Sequence, residues 1–236
     1  MSKSLQLEFS SGKFSEYSST AKEGFVEQNK GFKKFHDSVK GELLSASVRD
    51  SKIGQQICLV IKDEENDYCY TNIPLYDNKN QIGSYAESLI TYISSLSKGT
   101  KLELSGYNFK PDDSKYSKIG VSIKVDGNKI ERTLSASYYN KKGEFVKGDI
   151  PALVFEEDPL TKKKMPTLVS IAEKEKFLKT YLAENLKRLE YVKDDSVQKP
   201  AGDKPQISNK VPTATPEQAF APVDNLNDDE FEDLPF

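Results

Sequence analysis

The chain has 236 residues, 30% of them charged, with one histidine, two cysteines, no tryptophan and a formal net charge of −3. No run of about eighteen apolar residues occurs and residues 1–7 lack the apolar stretch of a secretory leader, so neither a membrane span nor export is expected. With no Gly-rich phosphate loop, no Gly-x-Ser-x-Gly and no metal spacing among Cys58, Cys69 and His36, the expectation is a reduced, cytoplasmic protein with no cofactor, no metal and no enzymatic activity.

Residues 1–40 are rich in Ser, Lys and Phe and read as an N-terminal extension, in which Leu5, Leu7 and Phe9 alternate as one strand would. From Gly41 the pattern sharpens. Residues 43–48 read as a strand, 50–54 as a turn, and 55–62 as a second strand with Ile57, Leu59 and Ile61 on one face. The polar run 63–67 turns the chain into a third strand over 68–75. A helix follows: Ser84 and Glu87 have capping-box spacing, Tyr85, Leu89, Ile93 and Leu96 form a stripe, and Gly99 supplies the stop. A strand over 100–109, a basic loop over 110–118 and a strictly alternating strand over 119–125 come next, and Asp126-Gly127 turns into a strand over 129–135.

Three strands, a helix and two strands is the element order of an OB-fold, a small Greek-key barrel that closes on itself and asks each strand for one apolar face. Beyond it, a hairpin is predicted over 136–146 around residues 140–143, a short strand over 152–155 and a basic loop over 156–166. A second helix opens on Ser170 and Glu173 as a capping box and keeps Ile171, Leu178, Leu182, Leu186 and Leu189 on one side. The predicted fold class is thus mainly β with helices, its OB-fold core, hairpin and helix spanning residues 41–193.

Residues 194–236 form a third region, in which Pro200, Pro205, Pro212, Pro216 and Pro222 break up a sequence too polar to fold. It holds ten acids and three bases, a charge of −7, which leaves +4 on residues 1–193. A basic body points to polyanionic partners, nucleic acid first. The tail itself is expected to occupy the basic groove when no nucleic acid is present.

Single strands are held by cations along the phosphates and by bases stacked on aromatic rings, each stack contributing about 1–3 kcal/mol. The surfaces that serve in OB-folds carry such residues here: Tyr68 and Tyr70 on the third strand, Lys62 across the hairpin, and Arg49 and Lys52 at the first turn. The loop before the fifth strand adds Lys110, Lys115, Tyr116 and Lys118. Two hairpin registers are open. A three-residue loop, 65–67, sets Lys62 opposite Tyr70 and turns both tyrosines outward; a two-residue loop, 65–66, swings Tyr70 inward beside Ile61. In the second case Tyr107, Phe109, Tyr138 or Tyr139 would provide the platform. The paired acids at 112–113, the acids at 156–158 and His36 read as ordinary surface or packing groups.

Between Asp224 and Asp233 stand six carboxylates and no base, followed by Leu234, Pro235 and Phe236. A charged strand with an apolar tip suits capture of its ring and carboxylate by a basic-rimmed pocket. It resembles the C-terminal tip of single-stranded DNA-binding proteins of bacteria and their phages, an acidic stretch ending in Asp-Asp-Asp-Ile-Pro-Phe or a near variant. Glu232 and Asp233 match acidic positions, Leu234 the aliphatic one, and Pro235 and Phe236 are identical. Phe231 departs from the pattern, while Asp228, Asp229 and Glu230 keep the charge upstream. The resemblance covers some ten residues, and the body is closer in layout to phage-encoded versions. It implies a protein of a bacterial or phage-infected cell that coats single-stranded DNA. Its tip would recruit replication, recombination or repair proteins, and its oligomeric state is left open.

Overall fold

A computed structural model describes residues 2–29, 31–112, 117–139, 142 and 144–190. The N-terminal segment holds four strands: β1 (Ser2–Leu7), β2 (Phe14–Ser18), β3 (Val26–Gln28) and β4 (Gly31–His36). Phe9 falls outside β1, contrary to the alternation; it lies in the following turn and packs 5.8 Å from the Tyr85 ring. The expected core strands follow as β5 (Ser38–Ser51), β6 (Gly54–Lys62) and β7 (Tyr68–Pro74). After helix α1 (Ser84–Ile90) come β8 (Lys101–Phe109), β9 (Lys118–Val125) and β10 (Asn128–Lys129).

All ten strands join one sheet, in the order β10-β9-β8-β5-β6-β7-β1-β2-β4-β3. Its centre, β8-β5-β6-β7, is a Greek key: three hairpin-linked strands and a fourth that returns to lie beside the first. The fourteen residues of β5 serve both neighbours, residues 38–42 pairing with β8 and residues 42–51 with β6. A bulge at Leu44 bends β5 between those duties. Gly41 sits there at φ 150°, where any Cβ would run into the Lys62 carbonyl.

The ladder does not close. β9 pairs with β8 and β10, and the edge of β7 is taken by β1, in parallel, with Ser2 opposite Tyr68 through Gln6 opposite Asn72. The N-terminal segment therefore supplies four strands to the sheet, β1 to β4. Contact between the two halves is made by a turn: Asn108 Nδ2 of β8 donates to the carbonyls of Phe9 (2.9 Å) and Ser10 (3.2 Å), and Tyr85 donates its hydroxyl to Phe9 O. Gly12 and Gly106 permit this approach, since a Cβ on Gly12 would lie 2.9 Å from the Tyr107 backbone.

The inner face of the sheet is mainly apolar: Leu5, Leu7, Phe14, Leu43, Leu59, Ile73, Leu104 and Ile123 are all buried, with Thr71 buried among them. α1 adds the predicted stripe, with Tyr85, Leu89, Ile93 and Leu96 buried, but its ends differ from the expectation. Gly83 is the N-cap, without a side-chain bond, and the helix stops at Thr91, whose hydroxyl back-bonds to Ser88 O at 2.6 Å. A 3-10 turn (Ile93–Ser95) carries the stripe onward.

The remaining elements are small. The strand expected over 129–135 is confined to β10, because Thr133 is drawn to Thr91 O by its N–H (2.7 Å) and its hydroxyl (2.8 Å). β11 (Tyr138–Tyr139) pairs with β12 (Phe145–Val146), and the strand expected over 152–155 is shifted to β13 (Phe155–Glu157), which pairs with β14 (Lys164–Pro166). α2 (Leu168–Leu189) begins earlier than its supposed box: Thr167 is the N-cap and Ser170 gives it the N–H, while Leu178, Leu182, Leu186 and Leu189 are buried as expected. Among the described residues no helix is long and apolar enough to cross a membrane.

Candidate nucleic-acid interface

The hairpin β6–β7 decides where the tyrosines point. Ile57, Leu59 and Ile61 face Ile73, Thr71 and Cys69 on the buried side, so Val60 and Lys62 stand opposite Tyr70 and Tyr68 on the outer one. Neither anticipated register occurs. The pairing is slipped by two residues from the three-residue loop, which preserves the faces because side chains alternate with period two. Tyr68 is 45% exposed and Tyr70 half-buried.

Asp63 sets that register. Its carboxylate accepts the N–H groups of Glu65 (3.0 Å) and Asp67 (2.9 Å), its own N–H donates to Asp67 O, and Asn66 takes φ 64°. Lys3 Nζ of β1 lies 2.6 Å from Asp63 Oδ2, tying the loop to the N-terminal strand. Asp63, Glu65 and Asp67 thereby bring carboxylate oxygens within 4.8 Å of one another, an arrangement the loop's own hydrogen bonds account for. Burial works to raise the Asp63 pKa, but Lys3 and the Asp67 N–H outweigh it and hold the carboxyl below its ordinary value. The same loop pushes the Cys69 thiol up to about 11, chiefly through burial, and both cysteines are free.

A depressed carboxylate stabilises the fold above its unfolded pKa, and that contribution is lost as pH falls through the folded value. We expect Asp63→Asn to cost about 1 kcal/mol in urea denaturation at neutral pH, through the loss of charge-assisted hydrogen bonds. The gap to wild type should narrow as the pH falls below the ordinary carboxylate range; a gap of constant size would show that the charge of Asp63 is immaterial.

Around the tyrosines the cations are arranged unevenly. The Arg49 guanidinium lies 5.4 Å from the centre of the Tyr70 ring, and Lys62 stands across from Tyr68. Lys52 is exposed in the β5–β6 turn beside Ile53, which is 69% exposed. Arg49, Lys62, Tyr68 and Tyr70 thus share one outer sheet face, while Lys52 stands in the turn at the opposite end of β6 from Lys62 and Tyr68.

Tyr107, Phe109, Lys110 and Lys118 belong elsewhere, on β8–β9, with β5 and β6 between them and β7 in the sheet order. Phe109 is exposed opposite Lys118, and its ring lies 6.0 Å from that of Tyr107. Tyr107 covers Gly120, where a Cβ would meet its hydroxyl oxygen at 2.6 Å. Arg132 completes this group and was absent from the sequence expectations. Its Nη2 donates to the Tyr107 hydroxyl (3.1 Å) and to Ser88 Oγ (3.2 Å), and its guanidinium lies 5.8 Å from the centre of the Tyr92 ring. Only its position in a predicted strand hinted at it, which is no signal for a site.

Tyr138 and Tyr139 are exposed on a two-stranded ribbon separate from the main sheet. Lys115, Tyr116 and the terminal residues Asp228, Asp229, Glu230, Glu232, Asp233, Leu234, Pro235 and Phe236 lie outside the described residues. Comparison with protein-family models, curated proteins and solved structures yields no match.

Proposed function

We propose that this chain is a non-catalytic single-stranded DNA-binding protein. The carrying observation is the outer face of β6–β7, where Tyr68 and Tyr70 are presented beside Arg49 and Lys62 on a +4 body. A ring held face-up by a sheet offers a sequence-tolerant stack, and neighbouring cations take the phosphates. The Greek-key centre with α1 between its third and fourth strands supports an OB-fold reading, in which this hairpin is the usual oligonucleotide surface. The N-terminal strands then stand where a closing pair would. By its likeness to known acidic tips, the segment from Asp228 to Phe236 serves to recruit replication, recombination or repair proteins in a bacterial or phage-infected cell.

The test is fluorescence anisotropy with labelled oligo-dT, a duplex and an RNA of matching sequence, each at rising salt. Binding should favour oligo-dT and fall with salt by a log–log slope of about 0.7 per phosphate contact. Absence of oligo-dT binding at low salt would end the reading. Equal or tighter binding of RNA would redirect it to RNA handling.

A further inference from the structure

The outer face that carries Tyr70 continues past β7. Ser4 of β1 stands opposite Tyr70, and Tyr17 of β2 stands opposite Lys33 of β4. Because Leu5 pairs with Glu16, Tyr17 is level with Ser4, two strands and about 10 Å from Tyr70. Side-chain hydrogen bonds mark this as one surface. Gln56 Nε2 donates to Gln6 Oε1 (2.9 Å), Asn72 Nδ2 to Ser4 Oγ (3.1 Å), and Ser15 Oγ and Lys33 Nζ both donate to Glu8 Oε1.

On this surface Tyr17 is 57% and Phe35 43% exposed, and a groove of about 500 Å³ runs past Ser2, Ser4, Gln6, Tyr17, Lys22 and Lys33. By register the small Ser4 lies between Tyr70 and Tyr17. Glu8 holds Lys33 at 2.7 Å, so the cation for a phosphate is Lys22, which is exposed and has no ion pair among the described residues.

We propose that the N-terminal strands extend the single-strand track, with Tyr17 as a further stacking platform and Lys22 as a phosphate contact. This rests on the reading above and lengthens its site from β6–β7 across β1 to β2. Tyr17→Trp places a lone indole in a chain that has none, and oligo-dT of about fifteen nucleotides should quench it. Tyr17→Leu should bind that strand about ten-fold more weakly, Tyr17→Phe nearly as wild type, and Lys22→Gln should lower the salt slope by about 0.7. If wild type binds, but the indole is not quenched and the Lys22→Gln slope is unchanged, the extension is refuted and the function stands. If wild type itself does not bind oligo-dT, both fall.

Discussion

Replacing Tyr68 and Tyr70 together by leucine should weaken oligo-dT binding by about 3 kcal/mol, more than a hundred-fold, while leaving the fold intact. Both rings project from the outer face of β7, where Tyr68 is 45% exposed and Tyr70 stands opposite the buried Val60. Leucine keeps the apolar cover of the neighbouring strands but cannot stack on a base. Arg49→Gln should act in the same direction and more weakly, since its guanidinium sits 5.4 Å from the Tyr70 ring centre. Anisotropy titrations at one fixed salt concentration, with melting temperature as the control, give the answer. Unchanged affinity in the double variant would place the binding surface elsewhere, with Tyr107, Phe109 and Arg132 as the next candidates.

Gly106→Val should destabilise the protein by about 3 kcal/mol or more. A Cβ at Gly106 would collide with the Gly12 carbonyl oxygen and lie 2.7 Å from Leu7 Cδ1, so backbone as well as side chain would have to yield. The site is where the turn after β1 is seated on β8, the contact that stands in for a closing ladder. Urea denaturation reads the loss, and hydrogen exchange should show the Glu8 and Gly12 amides, bonded to Lys13 O and Glu8 O, opening first. A stable Gly106→Val protein with unchanged exchange would mean that this turn does not hold the two halves together.

The period-two alternation of β9 and the 3.6-period stripe of Tyr85, Leu89, Ile93 and Leu96 were legible because burial there selects side chains one face at a time, whereas β6 is buried on both faces from Gln56 to Ile61. The Asp126-Gly127 turn was equally plain: both residues take positive φ, 49° and 81°, as a tight two-residue hairpin demands. Helix starts were misread, because Ser84 and Ser170 have the right chemistry and spacing but stand inside helices that Gly83 and Thr167 open. A capping box is a local pattern, and which residue lies at the boundary depends on where the preceding chain is anchored. The hairpin register was reached only in its parity, since Asp63 gathers the loop's N–H groups and takes two more residues out of the ladder.

The amino-acid sequence by itself determined which side of each central strand is apolar, where the main helices lie, that charge divides between a basic body and an acidic end, and that Tyr68 and Tyr70 share a face. Local periodicity and composition carry those facts, and no distant partner is needed to read them. Tertiary structure alone decided that β1 would take the free edge of β7, that the sheet would stay open, and that Arg132 would reach Tyr107 and Ser88. Those outcomes are pairings between segments 25 to 68 residues apart in the chain. Competing edges with similar hydrogen-bonding groups settle them, and short-range pattern does not distinguish one edge from another.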